Sequence, residues 1–544
     1  MRAAGPRRTA ALLTLGAAIL LCTVHVAFSA DETPPAPPAE ARPEIQRISI
    51  EGNTLLPPED LREFAVQYEG RALSAAGIQS MVGALQERYA AIGYPTTRVV
   101  VPAQEVTDGV LKLRVVEGRV GSVEVVNNVW FSDENYLPYL PTEGELLDVP
   151  DLKRDLHYLN LHPDRQGKAG LTAGEEPGTT NIKLYALEDN PFHLSLSYDN
   201  EGTPDTPRSR TDLTVQYDNL FGRSQVAVFR FGTAPGDNDK VRQYIGTYYV
   251  PLAPLGGPVG HSVTAYGAYS RSATETVLNA FSLSGQGTVL GTQYTMPLRR
   301  CGTFYQDLSF GAEYQEIKDD VGFGGGGTKN TVHTLPLIVR WSATGKHDDG
   351  VTNLSAGLRW QRDELFRNFD QANYEDSRAG ADPDFVVCTV RAQRVQHLCD
   401  GWTGSLATVG QLSDERLLPS QQFGLGGWDS VRGYRSRVTT TDDAFNVRAE
   451  VRSPVLPPVL PEEADEQTQV LAFLDYGWGN NRENRPGEPD TENLIGAGVG
   501  LRVGLFDGRV TGRVDLAWAL HDVRATPDGE EGDCIVHLGF GCRY

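Results

Sequence analysis

Positive charge is in short supply in this 544-residue chain, with 49 Lys and Arg against 71 Asp and Glu for a net charge of −22. A nucleic-acid partner needs a basic face, and no basic run occurs, so nucleic acid is excluded. Hydrophobic residues make up only 40%, and past the N-terminus no apolar run of ~18 residues exists, which excludes further membrane-spanning helices. The motifs Gly-x-Ser-x-Gly, His-Glu-x-x-His and the Walker loop are all missing. Neither a catalytic site nor a cofactor is expected. The ten histidines are scattered, and His157, His162 and His261 read as surface or core residues, not ligands. Six cysteines at spacings that fit no zinc pattern give no metal site. Five of them, Cys301, Cys388, Cys399, Cys534 and Cys542, lie beyond the N-terminal apolar segment, so at least one lacks an intramolecular partner. Cys388 and Cys399 are spaced to close a loop in an oxidising compartment.

The chain is too long for one ordinary core, so at least two domains are expected. Arg2, Arg7 and Arg8 precede a mostly apolar stretch from Ala10 to Val26, and Ala27-Phe28-Ser29 places small residues before a cut after Ser29. Residues 1–29 read as a secretory signal peptide, which directs the chain to the periplasm or beyond. Residues 30–44 are Pro-rich and read as an extended linker. In 45–118 the element order is β-α-α-β-β. Ile78, Met81, Val82, Leu85, Tyr89 and Ile92 share one helical face after a Ser74 cap, and Leu111, Leu113 and Val115 alternate with Lys112 and Arg114. Residues 119–190 repeat that order more loosely, with helical candidates at Asn135–Leu140 and Asp151–Leu161 and a closing strand at Asn181–Leu187. Two tandem small α/β domains are expected.

From His193 onward, glycine is plentiful and period-2 alternation takes over. Phe445, Val447, Ala449 and Val451 alternate with Asn446, Arg448, Glu450 and Arg452. Ala472, Leu474, Tyr476 and Trp478 alternate with Phe473, Asp475 and Gly477. The same holds for Ile495–Val503, whose other face is Gly496, Gly498, Gly500 and Arg502, and for Val510–Leu520. Segments of about ten residues with one apolar face, joined by alternating tight turns and long acidic loops, fit a transmembrane β-barrel. At ~22 residues per strand with its share of loop, 193–544 allows about 16 antiparallel strands. The fold class is therefore α+β domains followed by an all-β barrel. The region 361–402 reads as a long outer loop. Val536, Leu538, Phe540, Cys542 and Tyr544 share one face of a last strand. A terminal aromatic, with Phe540 and Tyr544 as its key residues, resembles the signal that outer-membrane barrels present to the barrel assembly machinery.

The segment 418–434 reads Leu-Pro-Ser-Gln-Gln-Phe-Gly-Leu-Gly-Gly-Trp-Asp-Ser-Val-Arg-Gly-Tyr. Its Val431-Arg432-Gly433-Tyr434 resembles the lumen loop of the Omp85 superfamily. Leu418-Pro419-Ser420 and Gly426-Gly427 resemble the two-partner secretion branch, the haemolysin secretion/activation family. Gly52-Asn53, Val115-Val116-Glu117-Gly118, Asn160-Leu161-His162-Pro163 and Pro177-Gly178 resemble the two POTRA domains of that branch. Asp218-Asn219-Leu220-Phe221-Gly222 and Tyr249-Val250-Pro251-Leu252 resemble early barrel segments. The resemblance covers about residues 44–544. It implies that residues 45–118 and 119–190 are periplasmic POTRA domains, that 193–544 is the barrel, and that 418–440 folds inward. It also implies that Phe473, Asp475 and Gly477 form a partner motif on the lumen wall, with Arg432 pairing with Asp475. A guanidinium–carboxylate pair suits such an anchor because it is directional and bidentate. The implied role is secretion of an unfolded exoprotein client across a lipid outer membrane. The alternative within the superfamily is an insertase for other barrels, and a passive pore is a third reading. Arg448, Glu450, Arg452 and Arg502 are expected as lumen charges that keep the channel wet. Some relatives carry an N-terminal plug helix, and the short 30–44 linker makes one doubtful here.

Overall fold

A computed structural model describes residues 44–204, 206–238, 241–271, 276–277, 281–282, 286–321, 328–363, 369–483, 485, 490–523 and 530–544. The expected signal peptide and nearly all of the linker lie outside the described residues. The first domain is a three-stranded sheet covered by two helices. β1 (Arg47–Glu51), α1 (Pro58–Val66), α2 (Ala75–Ala91), β2 (Arg98–Val100) and β3 (Val110–Val116) follow in chain order. β3 is central, parallel to β1 and antiparallel to β2. Ser74 caps α2 by accepting the Gly77 N–H at 3.2 Å, which satisfies one of the four free N–H groups of its first turn. Met81, Leu85 and Tyr89 on one face of α2 are fully buried against Leu111 and Leu113. Gly52 adopts φ +85°, and a side chain there would lie 2.5 Å from the Val115 carbonyl oxygen.

The second domain has β4 (Arg119–Val126), α3 (Val149–Leu159), β5 (Arg165–Ala173) and β6 (Thr179–Glu188), with β6 central. Two expectations change here. The Asn135–Leu140 segment forms two 3₁₀ turns at Asp133–Asn135 and Leu137–Tyr139, not an α-helix, because Pro138 supplies no N–H. β5 has no counterpart in the sequence reading. Its weak apolar pattern reflects close packing, since a side chain at Gly167 would meet Leu184 at 2.9 Å and Leu159 at 3.1 Å.

The remainder closes into an antiparallel barrel. Among the described residues its wall has sixteen strands. Strand 7 (Phe304–Val321) pairs with both Thr328–Thr334 and Leu337–His347, which together make strand 8. Strand 1 (Phe192–Asp199) pairs with strand 16 (Cys534–Arg543) through five residue pairs, Gly539↔Asp199 to Arg543↔Ser195. This closure gives the wall no free edge, the condition for strands in lipid. Leu194, Leu290, Phe310, Leu358, Leu406, Leu474, Val499, Leu516 and Phe540 are all exposed on the outer face. Apart from Val289 and Phe473, their inward neighbours in sequence are polar, glycine or alanine, as a wall between lipid and a polar lumen requires. The inner end of strand 14 (Thr491–Leu505) turns tightly through Phe506, Asp507 and Gly508, each with positive φ.

The 361–402 region is not one outer loop. Phe385–His397 is strand 10, bonded to strand 9 (Gly350–Gln361) and strand 11 (Thr403–Ser413). The described residues of the outer connection are 362–363 and 369–384, and 398–402 is a turn at the opposite end. This separates Cys388, mid-strand, from Cys399, in the turn. At ~3.3 Å per residue the strand holds them roughly 30 Å apart, far too distant for a disulfide. All five described cysteines are free.

The second domain docks on the inner turns of the barrel. The His157 ring stacks on Tyr305 at 3.5 Å. Asn219 Nδ2 donates to the Trp130 carbonyl at 2.9 Å, and Ser224 Oγ donates to Asn135 Oδ1 at 2.7 Å.

Candidate functional site in the barrel lumen

The segment 414–442 joins strand 11 to strand 12 (Asp443–Arg452), and instead of standing in solvent it enters the lumen. Phe423–Leu425 and Thr439–Thr441 pair as a short hairpin. Leu425, Val431, Tyr434 and Val438 form a fully or nearly buried cluster with Leu494, Ala519 and Val523 of the wall and outer loop. Strand alternation sets the wall motif. Phe473, Asp475 and Gly477 lie on the inner face of strand 13 (Gln467–Asn480), one residue apart from the outward Leu474.

Arg432 is 2% exposed and its guanidinium fork is fully engaged. Nε donates to Asp475 Oδ2 at 2.7 Å, Nη2 to Asp475 Oδ1 at 2.9 Å, and Nη1 to Glu450 Oε2 at 2.9 Å. The Arg432 backbone N–H adds a bond to Asp475 Oδ2 at 3.1 Å. The guanidinium carbon sits 3.5 Å over the Phe473 ring, a cation–π contact strengthened by exclusion of water. A bidentate pair stacked on an aromatic fixes both position and plane, which an ammonium cannot do.

The pair belongs to a larger network. Asp515 accepts from both Arg502 nitrogens at 2.6 and 3.0 Å and from Arg513 Nε at 2.9 Å. Its Oδ2 is 3.7 Å from Arg432 Nη1. Glu450 Oε1 accepts from Arg452 Nε at 2.5 Å. Four cations thus share three carboxylates, and each buried charge has opposite partners, the condition for tolerating burial. Arg448 lies at the margin, donating to the Trp428 carbonyl at 3.3 Å and facing Asp429 at 3.6 Å. The charges Arg448, Glu450, Arg452 and Arg502 therefore hold the loop or one another, and are not simply a wet lining.

Glycines make room for this arrangement. A side chain at Gly496 would fall 1.8 Å from the Arg432 carbonyl oxygen, and one at Gly477 would fall 2.8 Å from Val431. Gly498 leaves space for the Phe473 ring and Gly500 for the Asp515 carboxylate. Gly433, at φ +95°, lies against the backbone of strand 15 (Val510–Ala519) at Trp518 and Ala519. Tyr434 Oη donates to the His521 carbonyl at 2.7 Å and accepts the Ile495 N–H at 3.3 Å.

A second anchor had no local signal in the sequence. Gly433 N–H donates to His537 Nε2 at 3.1 Å, and His537 Nδ1 donates to Glu201 Oε1 at 2.5 Å. Glu201 Oε2 also accepts from the Trp428 N–H at 3.0 Å and Ser436 Oγ at 2.9 Å. The loop is thereby joined to residues that follow strand 1 and lie on strand 16. Phe540 and Tyr544 are exposed at the outer face and end of strand 16, away from the lumen.

Among the described residues one His/Asp group, Asp164, His193 and Asp218, is compact enough to suggest a metal. Arg543 donates to His193 Nδ1 at 2.9 Å, so the ring proton sits on Nε2 and points to Asp164 Oδ2 at 2.7 Å. That tautomer leaves no imidazole lone pair for an ion, and the group acts as a hydrogen-bonded clasp between the second domain and the barrel.

Comparison with known proteins agrees with this architecture. The model of the haemolysin secretion/activation protein ShlB/FhaC/HecB matches residues 178–503, and that of the ShlB-type POTRA domain matches 44–118. The outer membrane transporter CdiB-2 of Burkholderia pseudomallei is 25% identical over 82% of this chain and 74% of its own. The heme/hemopexin transporter protein HuxB of Haemophilus influenzae is 23% identical over 78% and 74%. The solved structure of CdiB from Escherichia coli superposes with a TM-score of 0.75 at 19% identity, covering 94% of this chain and 93% of that one. With a family model spanning more than half of its length, the chain belongs to the ShlB/FhaC/HecB haemolysin secretion/activation family.

Proposed function

We propose that this protein sits in the outer membrane, with its two α/β domains in the periplasm, and secretes an unfolded exoprotein through the barrel. The observation that carries the reading is the buried Arg432–Asp475 pair, which keeps a long loop seated in the lumen. A passive pore needs no such loop. A sixteen-stranded wall encloses a lumen wide enough for an extended chain once the loop yields. β1 and β2 are edge strands of the first sheet, and β4 and β5 of the second. An extended client adds to such an edge through main-chain hydrogen bonds, which bind without demanding a sequence. No nucleotide motif is available to drive transport, so folding of the client outside the cell supplies the direction. The aromatic end at Phe540 and Tyr544 serves recognition by the barrel assembly machinery.

The test is secretion in a strain lacking the chromosomal copy. Expression of Arg432→Ala should leave the exoprotein in the periplasm, with at least tenfold less in the medium than with the unaltered protein. Normal export from the deleted strain, together with depletion of other outer-membrane barrels, would assign the insertase role in its place.

A further inference from the structure

The lumen loop is not alone inside the cylinder. The outer loop between strands 9 and 10 also turns inward, through a short helix, α4 (Gln371–Ser377). Tyr374 and Ala381 of this loop are about 1% and 0% exposed. They pack with Leu418 against Ile245, Val289, Ile317 and Val332, residues on the inner faces of strands 4 (Arg242–Pro251), 6 (Gln286–Cys301), 7 and 8. Tyr374 Oη donates to the His333 carbonyl at 2.9 Å, and Gln361, fully buried, donates to Tyr374 Oη at 3.0 Å and to the Pro383 carbonyl at 2.9 Å. Asn330 Nδ2 holds the Asn373 carbonyl at 2.5 Å.

The loop is also locked to its neighbour. Arg378 is 7% exposed and grips Asp442, at the return stem of the lumen loop, with Nη1–Oδ1 at 2.5 Å and Nη2–Oδ2 at 3.1 Å. Asp442 further accepts the Leu417 N–H at 3.0 Å and the Arg482 N–H at 3.0 Å. Arg416 donates to the Ala379 carbonyl at 3.1 Å and the Glu483 carbonyl at 2.9 Å. Three consecutive outer loops therefore meet at one buried guanidinium–carboxylate pair.

We infer that residues 369–384 form a stopper in the outer half of the lumen, and that Arg378–Asp442 is its latch. An apolar cluster facing into the lumen of a polar channel excludes water and ions where a wet lining would pass them. The latch is separate from the Arg432–Asp475 pair, which involves strands 12, 13 and 15. The stopper shuts the resting barrel whatever its cargo, so the inference stands apart from the export reading.

The experiment is conductance of the purified full-length protein in planar lipid bilayers. Two variants are compared with the unaltered chain: Arg378→Gln, and replacement of 369–384 by a short Gly-Ser turn. Heat-modifiable gel mobility verifies that each barrel is folded. The shortened loop should raise resting conductance several-fold, and Arg378→Gln should increase the frequency of open events at least threefold. Polymer blockers added from the outer face alone should lose their access barrier in both. If a folded shortened variant conducts as the unaltered protein does, the stopper is refuted. If the shortened variant does not fold, unchanged gating in Arg378→Gln refutes it. Secretion by these variants is scored separately, since its loss or retention bears on export and not on the resting seal.

Discussion

At the scale of single residues, the lumen clasp is a problem in burying charge. Removing one member of a buried ion pair leaves the other uncompensated and costs roughly 3–5 kcal/mol, more than the pair contributes over an apolar substitute. Asp475→Asn and Arg432→Ala are therefore both expected to unseat the loop. Arg432→Lys should behave nearly as badly, because one ammonium cannot span both Asp475 oxygens and Glu450 while lying flat on Phe473. Gly496→Ala makes a sharper prediction, since the added methyl would occupy the place of the Arg432 carbonyl. It should abolish secretion to the same degree as Arg432→Ala while the barrel still shows heat-modifiable mobility. Normal secretion by Gly496→Ala would show that the loop need not sit where the structure has it. The sequence named Arg432 and Asp475 through their motifs, and the inner glycines through their alternation. It could not say that those glycines were cavities for the loop. Glu201–His537 and Arg378–Asp442 were illegible because the partners lie 336 and 64 residues apart and each, taken alone, is an ordinary polar residue.

At the scale of elements, the legible strands were those whose two faces differ cleanly, 12 to 16. Strand 10 was missed because its faces swap character along its length. Val387 is buried on the inner side at one end, and Arg394 reaches Asp349 near the other, so the alternation blurs. The link between α3 and the barrel carries its own prediction. Burial, assisted by Lys346 and Arg300, lowers the His157 pKa to about 4. Burial and Arg165 lower that of His162 to about 3. Neutral His162 uses both ring nitrogens, donating to the Asp218 carbonyl at 2.9 Å and accepting the Asp164 N–H at 3.3 Å. Because the docked values lie below the ordinary ~6.5, docking favours the neutral rings. Its contribution is complete above that pH and is lost as pH falls toward 4. Protease cleavage at the junction near residue 190 should therefore accelerate between pH 6.5 and 4, and His157→Phe should flatten the response. A junction equally resistant across that range would contradict the packing of these rings.

At the scale of the whole molecule, the solvent outside the wall is lipid. Leu474→Arg or Val499→Arg places a charge on the apolar band, at a cost of about 2–4 kcal/mol near the bilayer centre. The folded fraction in detergent-free liposomes should fall accordingly, measured by urea titration of gel mobility. Arg448→Leu, on the inner side of the same wall, should cost far less. The closing join supplies a last consequence. Glu201 follows the first ribbon, His537 rides on the final one, and the Gly433 amide hangs from their contact. Closing the cylinder and seating its inner tongue are thus coupled through one shared contact. A molecule with a misplaced tongue would keep the main-chain seam between its two ends but lose this contact, and the cell would confront it as a complete ring with a weaker join.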